Sequence, residues 1–169
     1  MDKTLFETER LYLKTIDIED GAFFLNLWNS PNWINLVGDR NVRSIDQAKG
    51  KIKDILLACY KNHGYGMYKM VSKKSDETIG ICGFSKRTNL IHPDIGFAVL
   101  PKYERKGYSL EAAKATMIYA KTELGLKKVI GMTTEDNIGS KKLLQKIGLK
   151  NVGETKIENS DIQYLLYSN

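Results

Sequence analysis

The chain has 169 residues, 42% apolar and 27% charged, the balance of a single globular domain over 1–169 whose core needs neither disulfides nor a structural metal. Two cysteines and two histidines are too few for a disulfide framework or a zinc site of the usual spacing, and the longest apolar run, ILLACY at 55–60, cannot span a bilayer. A reducing cytoplasmic setting without membrane or metal is therefore expected. Twenty-six Lys and Arg against 20 Asp and Glu leave a charge of +6, which attracts anions but equally serves solubility alone.

In chain order, residues 10–16 (RLYLKTI) alternate as a first strand. Asp17 then caps an amphipathic helix to about Asn29, with Phe23, Phe24, Leu27 and Trp28 at helical spacing. Ser44 and Gln47 form a capping box that opens a second helix to about Lys61, striped by Ile45, Ala48, Ile52, Ile55 and Leu56. The period then changes. Segments 65–72, 78–87 and 94–100 read as strands separated by KKSDE and NLIHP, which predicts an antiparallel meander.

Gly107 to about Leu124 is the clearest helix, stopped by Gly125. A strand at 127–133, a short helix from Asn137 to Ile147 and strands near 149–156 and 162–168 complete the order βααβββαβαββ. The strand, helix and strand over 94–133 make a βαβ unit, so the class is mixed α/β with part of the sheet parallel.

The most informative stretch is DIGFAVLPKYERKGYSLEAAK, where a strand stops at Pro101, a loop carries Lys102, Arg105 and Lys106, and Gly107 opens the long helix. A helix start presents unpaired N–H groups and a partial positive charge, and glycine lets a phosphate approach the backbone. The same features also suit a plain loop with glycine for packing and cations for solubility. Neither the P-loop nor the G-x-G-x-x-G dinucleotide pattern occurs.

ERKGYSLEAA, preceded by DIGFAVLPKY and followed by a strand and DNIGSKKLLQKIGL, closely resembles the GNAT superfamily of acyl-CoA-dependent N-acetyltransferases. Within it, ETERLYLK and the junction are most similar to the branch of ribosomal-protein N-terminal acetyltransferases. The resemblance runs from Glu7 to about Tyr167. The family's loop consensus is Gln or Arg, two variable positions, Gly, one variable position, then Gly or Ala. It falls on Glu104, Arg105, Lys106, Gly107, Tyr108 and Ser109, with only Gly107 a strict match and Glu104 an anion near a proposed anion.

That resemblance implies acetyl-CoA as cosubstrate, its diphosphate held by the backbone of Arg105 to Ser109. Its pantetheine arm would lie along Phe97, Ala98 and Val99, in a splay between the strands at about 94–100 and 127–133 of a mostly antiparallel sheet flanked by helices. Asn137 and Ser140 match the family's N-x-x-S, with Asn near the arm and Ser near the thiol, although DNIGS also reads as an ordinary helix cap.

The implied reaction is direct attack of a neutral amine on the thioester in a ternary complex, catalysed chiefly by placement. At neutral pH an α-amine is roughly 10% neutral and a lysine amine only about 0.04%, so a sparsely equipped site suits α-amines. Asp94 stands where this branch usually has Glu and is the expected base, directly or through water. The tyrosine acid that many members place four residues before the glycine is Leu144 here, leaving Ser140, Tyr103 or water.

Glu158 and Asp161 are further acidic candidates for contacting the amine, and Trp28, Trp33 and Tyr65 for lining its groove. The acceptor is a protein α-amine or a small-molecule amine, and the chain a monomer or homodimer. No nucleic acid is expected. Two other readings stay open: a noncatalytic basic module for RNA or ribosomes, and a GNAT fold that binds CoA without transfer.

Overall fold

The computed structural model describes residues 2–158 and 160–169. Eight strands form one sheet in the order β1-β2-β3-β4-β5-β6-β8-β7. They are β1 (Thr4–Glu7), β2 (Leu11–Thr15), β3 (Met67–Ser72), β4 (Thr78–Ser85), β5 (Asp94–Val99), β6 (Ile130–Thr133), β7 (Lys150–Lys156) and β8 (Gln163–Ser168). Every neighbouring pair is antiparallel except β5 with β6. The expected mixed, mostly antiparallel sheet is therefore present.

Asp17 does cap a helix, accepting from the Glu19 N–H in a capping box with Asp20, but the first turn is a 3-10 turn before α1 (Gly21–Trp28). Ser44 accepts from the Gln47 N–H and opens α3 (Ile45–Lys51), which continues through a π-helical stretch, Ile52–Leu57, into α4 (Ala58–His63). Such a wide turn often marks a functional surface. α5 (Tyr108–Thr122) and α6 (Ile138–Lys146) follow as expected.

Two elements were not anticipated. β1 is only four residues long, TLFE, too short for an alternation to announce it. α2 (Pro31–Leu36) has six residues and starts on a proline at its first turn, where the missing N–H costs nothing.

The sheet has a core on each face. One gathers Leu11, Leu13, Met70, Ile79, Cys82, Phe84 and Ile95 against Ala112, Ala113 and Ala120 of α5 and Leu144 of α6. The other packs Ile16, Met67, Ile81 and Leu100 against Phe24, Leu27, Trp33, Ala48 and Ile52 of the N-terminal helices. Ile79 and Ile81 reach opposite cores although two residues apart. The cause is a bulge: Val71 pairs with Thr78 and Met70 with Gly80, leaving Ile79 as the extra residue that reverses the alternation.

No helix among the described residues is long and apolar enough to cross a membrane. Cys59 and Cys82 are free thiols, and burial pushes the Cys82 thiol up to about 12.

Candidate functional site

β5 and β6 pair at one position only, Asp94 with Ile130, and diverge beyond it, while β5 stays in register with β4 along its whole length. The parallel pair is thus splayed as expected. Through the opening runs a cleft of about 1210 Å³, walled by α5 and α6 on one side of the sheet and by α1 and α2 on the other. Phe97, Ala98, Val99, Arg105, Gly107, Tyr108, Ser109, Asn137 and Ser140 all line it, as does Asp94.

The exposed edge of β5 is not uniform. The Leu100 N–H bonds the Ile79 carbonyl across to β4, whereas the Pro93 carbonyl accepts from the Ile130 N–H on the β6 side. Alternation along an extended strand therefore turns the backbone groups of Phe97 and Val99 into the gap and those of Ala98 toward Ile81. This corrects the expectation for Ala98, whose main chain is consumed within the sheet; it borders the cleft only with its methyl group.

The loop ahead of α5 leaves its main-chain donors open. Arg105 (φ 57°) and Gly107 (φ 80°) are both left-handed, and no side chain caps the helix. Among the described residues, no protein group accepts from the main-chain N–H of Arg105 through Leu110. Arg10 at the start of β2 fixes this shape. Its guanidinium donates to the Lys106 carbonyl at 2.9 Å and to Glu111 at 2.6 Å, and lies 4.3 Å from the centroid of the Tyr108 ring.

Burial alone would raise Glu111, but the Thr8 hydroxyl and Arg10 hold its carboxyl below the usual range. Arg10 went unnoticed in the sequence because its partners are about a hundred positions away. Lys106 does not line the cleft, and its ammonium sits 5.8 Å from the Tyr103 ring. Glu104 is drawn away toward α2, accepting from the Asn32 amide at 2.7 Å, which relieves the anion placed beside the open donors.

At the α6 end, Asn137 is the helix cap: its Oδ1 accepts from the Ser140 N–H at 3.1 Å, leaving its amide NH₂ and the Ser140 hydroxyl beside the cleft. Leu144 is buried beneath α6 against Gly131, so that position does not face the cleft, whereas Leu143 does. Tyr103 borders the cleft, but its hydroxyl donates to Glu77. Tyr164 of β8 also lines the cleft and gave no signal within an alternating strand.

Glu158 accepts from the Thr88 hydroxyl, and neither it nor Asp161 reaches the cleft lining. Trp28 and Trp33 form its far wall, while Tyr65 is stacked beside His63 in the core.

Asp94 sits at the floor of the splay, 5% exposed. Burial pushes its carboxyl up to about 6, with the Arg87 guanidinium at 3.1 Å and the Met132 backbone N–H pulling the other way. Its Oδ1 has no partner. Among the described residues, four buried side-chain polar atoms lack a hydrogen bond: Trp33 Nε1, Arg40 Nε, Asp94 Oδ1 and Thr133 Oγ1. All four belong to residues lining this one cleft. Unpaired buried polar groups are costly and rare, and here they gather around one cleft.

The sequence matches the family described as acetyltransferase (GNAT) domain over residues 10–150. YjdG of Bacillus subtilis, an uncharacterized N-acetyltransferase, is 30% identical over 158 residues, or 85% of this chain and 88% of that protein. An acetyltransferase structure from Agrobacterium tumefaciens superposes with a TM-score of 0.82 at 21% identity, covering 97% of this chain and 92% of that one. A ribosomal L7/L12 alpha-N-protein acetyltransferase solved with coenzyme A superposes with a TM-score of 0.78 at 14% identity, over 99% and 97% of the two chains. The last two likenesses are of fold.

Proposed function

Since this chain belongs to the GNAT acetyltransferase family, and is thus an acyltransferase, we propose that it uses acetyl-CoA to acetylate a primary amine, by direct attack in a ternary complex. The observation that carries this reading is the row of free main-chain N–H groups from Arg105 to Leu110, opening onto the cleft whose floor is Asp94. Free main-chain donors, a helix N-terminus and the nearby Arg105 side chain suit a diphosphate. From there the unpaired edge of β5 leads inward, and Phe97 and Val99 offer the N–H and C=O pattern that an amide-bearing arm needs.

Acetyl-CoA, when bound, supplies the activated acyl group. The protein supplies placement and a proton acceptor. As the amine nitrogen bonds the acyl carbon and the carbon–sulfur bond breaks, the amine proton passes to Asp94, directly or through water, and the leaving sulfur takes a proton from solvent, directly or relayed by the Ser140 hydroxyl, which regains its own from solvent in the same step. Asn137 orients the cofactor arm through its amide NH₂. The likeness to a protein α-amine acetyltransferase supports an α-amine acceptor, as does the better supply of neutral α-amine at neutral pH. The free thiols Cys59 and Cys82 suit a reducing cytoplasm.

Isothermal titration with acetyl-CoA, followed by a free-thiol assay over a panel of amines, tests the proposal. Saturable binding and amine-dependent thiol release are expected. Absence of binding at about millimolar ligand, where even a weak complex of about −4 kcal/mol would register, overturns it.

A further inference from the structure

The far end of the cleft is electropositive and short of acceptors. Six cations line the cleft as a whole (Arg40, Lys86, Arg87, Arg105, Lys142, Lys146) against three carboxylates, Asp39, Asp94 and Glu104. Each carboxylate already has one partner, Arg43, Arg87 and Asn32 respectively, and the oxygen left free on Asp94 lies at the floor of the splay.

Arg40 has no carboxylate at all among the described residues. Its guanidinium lies between two indoles, 5.5 Å from the Trp28 ring and 5.3 Å from the Trp33 ring, with a buried Nε–H that nothing accepts. The Trp33 Nε1–H beside it is equally unpartnered, on a side chain only 9% exposed. Burial and the neighbouring Arg87 charge both work against the Arg40 cation. Arg40 Nε–H and Trp33 Nε1–H, one of them cationic, are thus buried donors with no acceptor on the protein, carried by residues that line this end of the cleft, and an anion would supply the acceptor they lack.

We infer that this end of the cleft is an anion subsite, so that the amine receiving the acetyl group carries its own carboxylate or phosphate, held by Arg40 and the Trp33 indole. The inference rests on the acetyltransferase reading for its amine, and on the unpaired donors for its anion. Arg87 connects the two ends: it bonds Asp94 and lies close enough to Arg40 to act on it electrostatically. An acceptor with both groups thus presents its amine to Asp94 and its anion to Arg40. The surrounding guanidiniums also favour loss of the ammonium proton, which attack requires. A polycationic amine meets repulsion along the same path.

The chain has two tryptophans, and both flank Arg40, so intrinsic fluorescence reads the subsite directly. Three matched pairs separate the sources of the anion: L-serine and L-serinamide for a free carboxylate, D-glucosamine 6-phosphate and D-glucosamine for a phosphate, and the amides of alanyl-aspartate and alanyl-asparagine for an acidic side chain in a peptide. Spermidine represents the polycation.

In at least one pair the anionic member should perturb the fluorescence and be acetylated with kcat/KM about 10-fold to 100-fold above its neutral twin, the range of a charge-assisted hydrogen bond. Arg40→Gln should abolish that preference with the acetyl-CoA affinity unchanged, and Arg40→Lys should retain part of it. Equal response to both members of every pair, a preference for spermidine, or a preference that survives Arg40→Gln would overturn the subsite. Loss of acetyl-CoA binding in calorimetry instead strikes the acetyltransferase reading, while the fluorescence comparison still decides the anion.

Discussion

Arg10 and Glu111, 101 positions apart, are joined at 2.6 Å, and through this pair the start of β2 holds the loop that opens α5. The Arg10 main-chain N–H and the Thr8 hydroxyl complete the carboxylate's bonds at 2.9 and 2.6 Å. The ion pair itself is partly solvent-exposed, and its energetic value is about 1 kcal/mol or less. Its value to function is geometric. Arg10→Met is expected to leave the fold intact, lower the melting temperature by only a few degrees, and weaken acetyl-CoA binding about 10-fold through loss of the loop's shape, measured by calorimetry. Because Glu111 is held below its ordinary range, its stabilising contribution is present above the unfolded carboxylate value and disappears as pH falls through the lower folded one.

Gly107 adopts φ 80°, and an added Cβ would meet only Arg10 Nη2, at 3.4 Å. The position thus has room for a side chain but penalises it through the backbone, by about 1–2 kcal/mol for most residues. Gly107→Val should weaken acetyl-CoA binding at least about 10-fold and cost some stability. Gly107→Asn, which tolerates this conformation, should keep the stability and still weaken binding by covering the open donors. Calorimetry and thermal melts on the two variants separate obstruction from strain.

Asp94 titrates from about 6 in the fold against an ordinary 3.8. If it takes the amine proton, the rate with saturating acetyl-CoA has a limb that rises through about pH 6, below the further rise that comes as the acceptor amine loses its own proton. Asp94→Asn should then lower kcat by about 100-fold or more with little change in cofactor affinity. An unchanged pH profile in the variant would exclude the role. The stability sign is opposite to the common carboxylate case. A raised folded value means the native state binds the proton more tightly, so the charged form costs stability, fully above about 6 and not at all below the unfolded value. The melting temperature of Asp94→Asn relative to wild type should therefore be more favourable at about pH 8 than at about pH 4.

Asn137 combines a cap with a proposed cofactor contact. Asn137→Asp keeps the oxygen that accepts from Ser140 and loses the amide donor, so it should retain stability and weaken acetyl-CoA binding. Asn137→Ala loses both and should destabilise by about 1 kcal/mol as well. Equal cofactor affinity in all three proteins would leave Asn137 as a cap alone.

Much of this molecule was written locally. Alternation, the caps at Asp17 and Ser44, the glycine stops and the βαβ spacing each depend on residues within a turn or two, so the main helices, seven of the strands and the loop around Gly107 were legible from sequence. Where one residue more or less decides the outcome, local pattern fails. The extra residue at Ile79 turns it away from Ile81, and a strict strand phase assigns the backbone of Ala98 to β4 and that of Phe97 and Val99 to the cleft.

What the chain itself determined, through short-range propensity and the motif spanning 94–111, was the family-like order of elements and a helix start able to receive an anion. The tertiary structure alone decided which groups remain unsatisfied. Arg10 reaches its partners in α5 only when β2 is in the sheet, and Trp33, Arg40, Asp94 and Thr133 share one cleft only because β5 and β6 diverge. Hydrogen-bond saturation is a property of neighbours in space, and neighbours distant in sequence leave no mark on the residues between them.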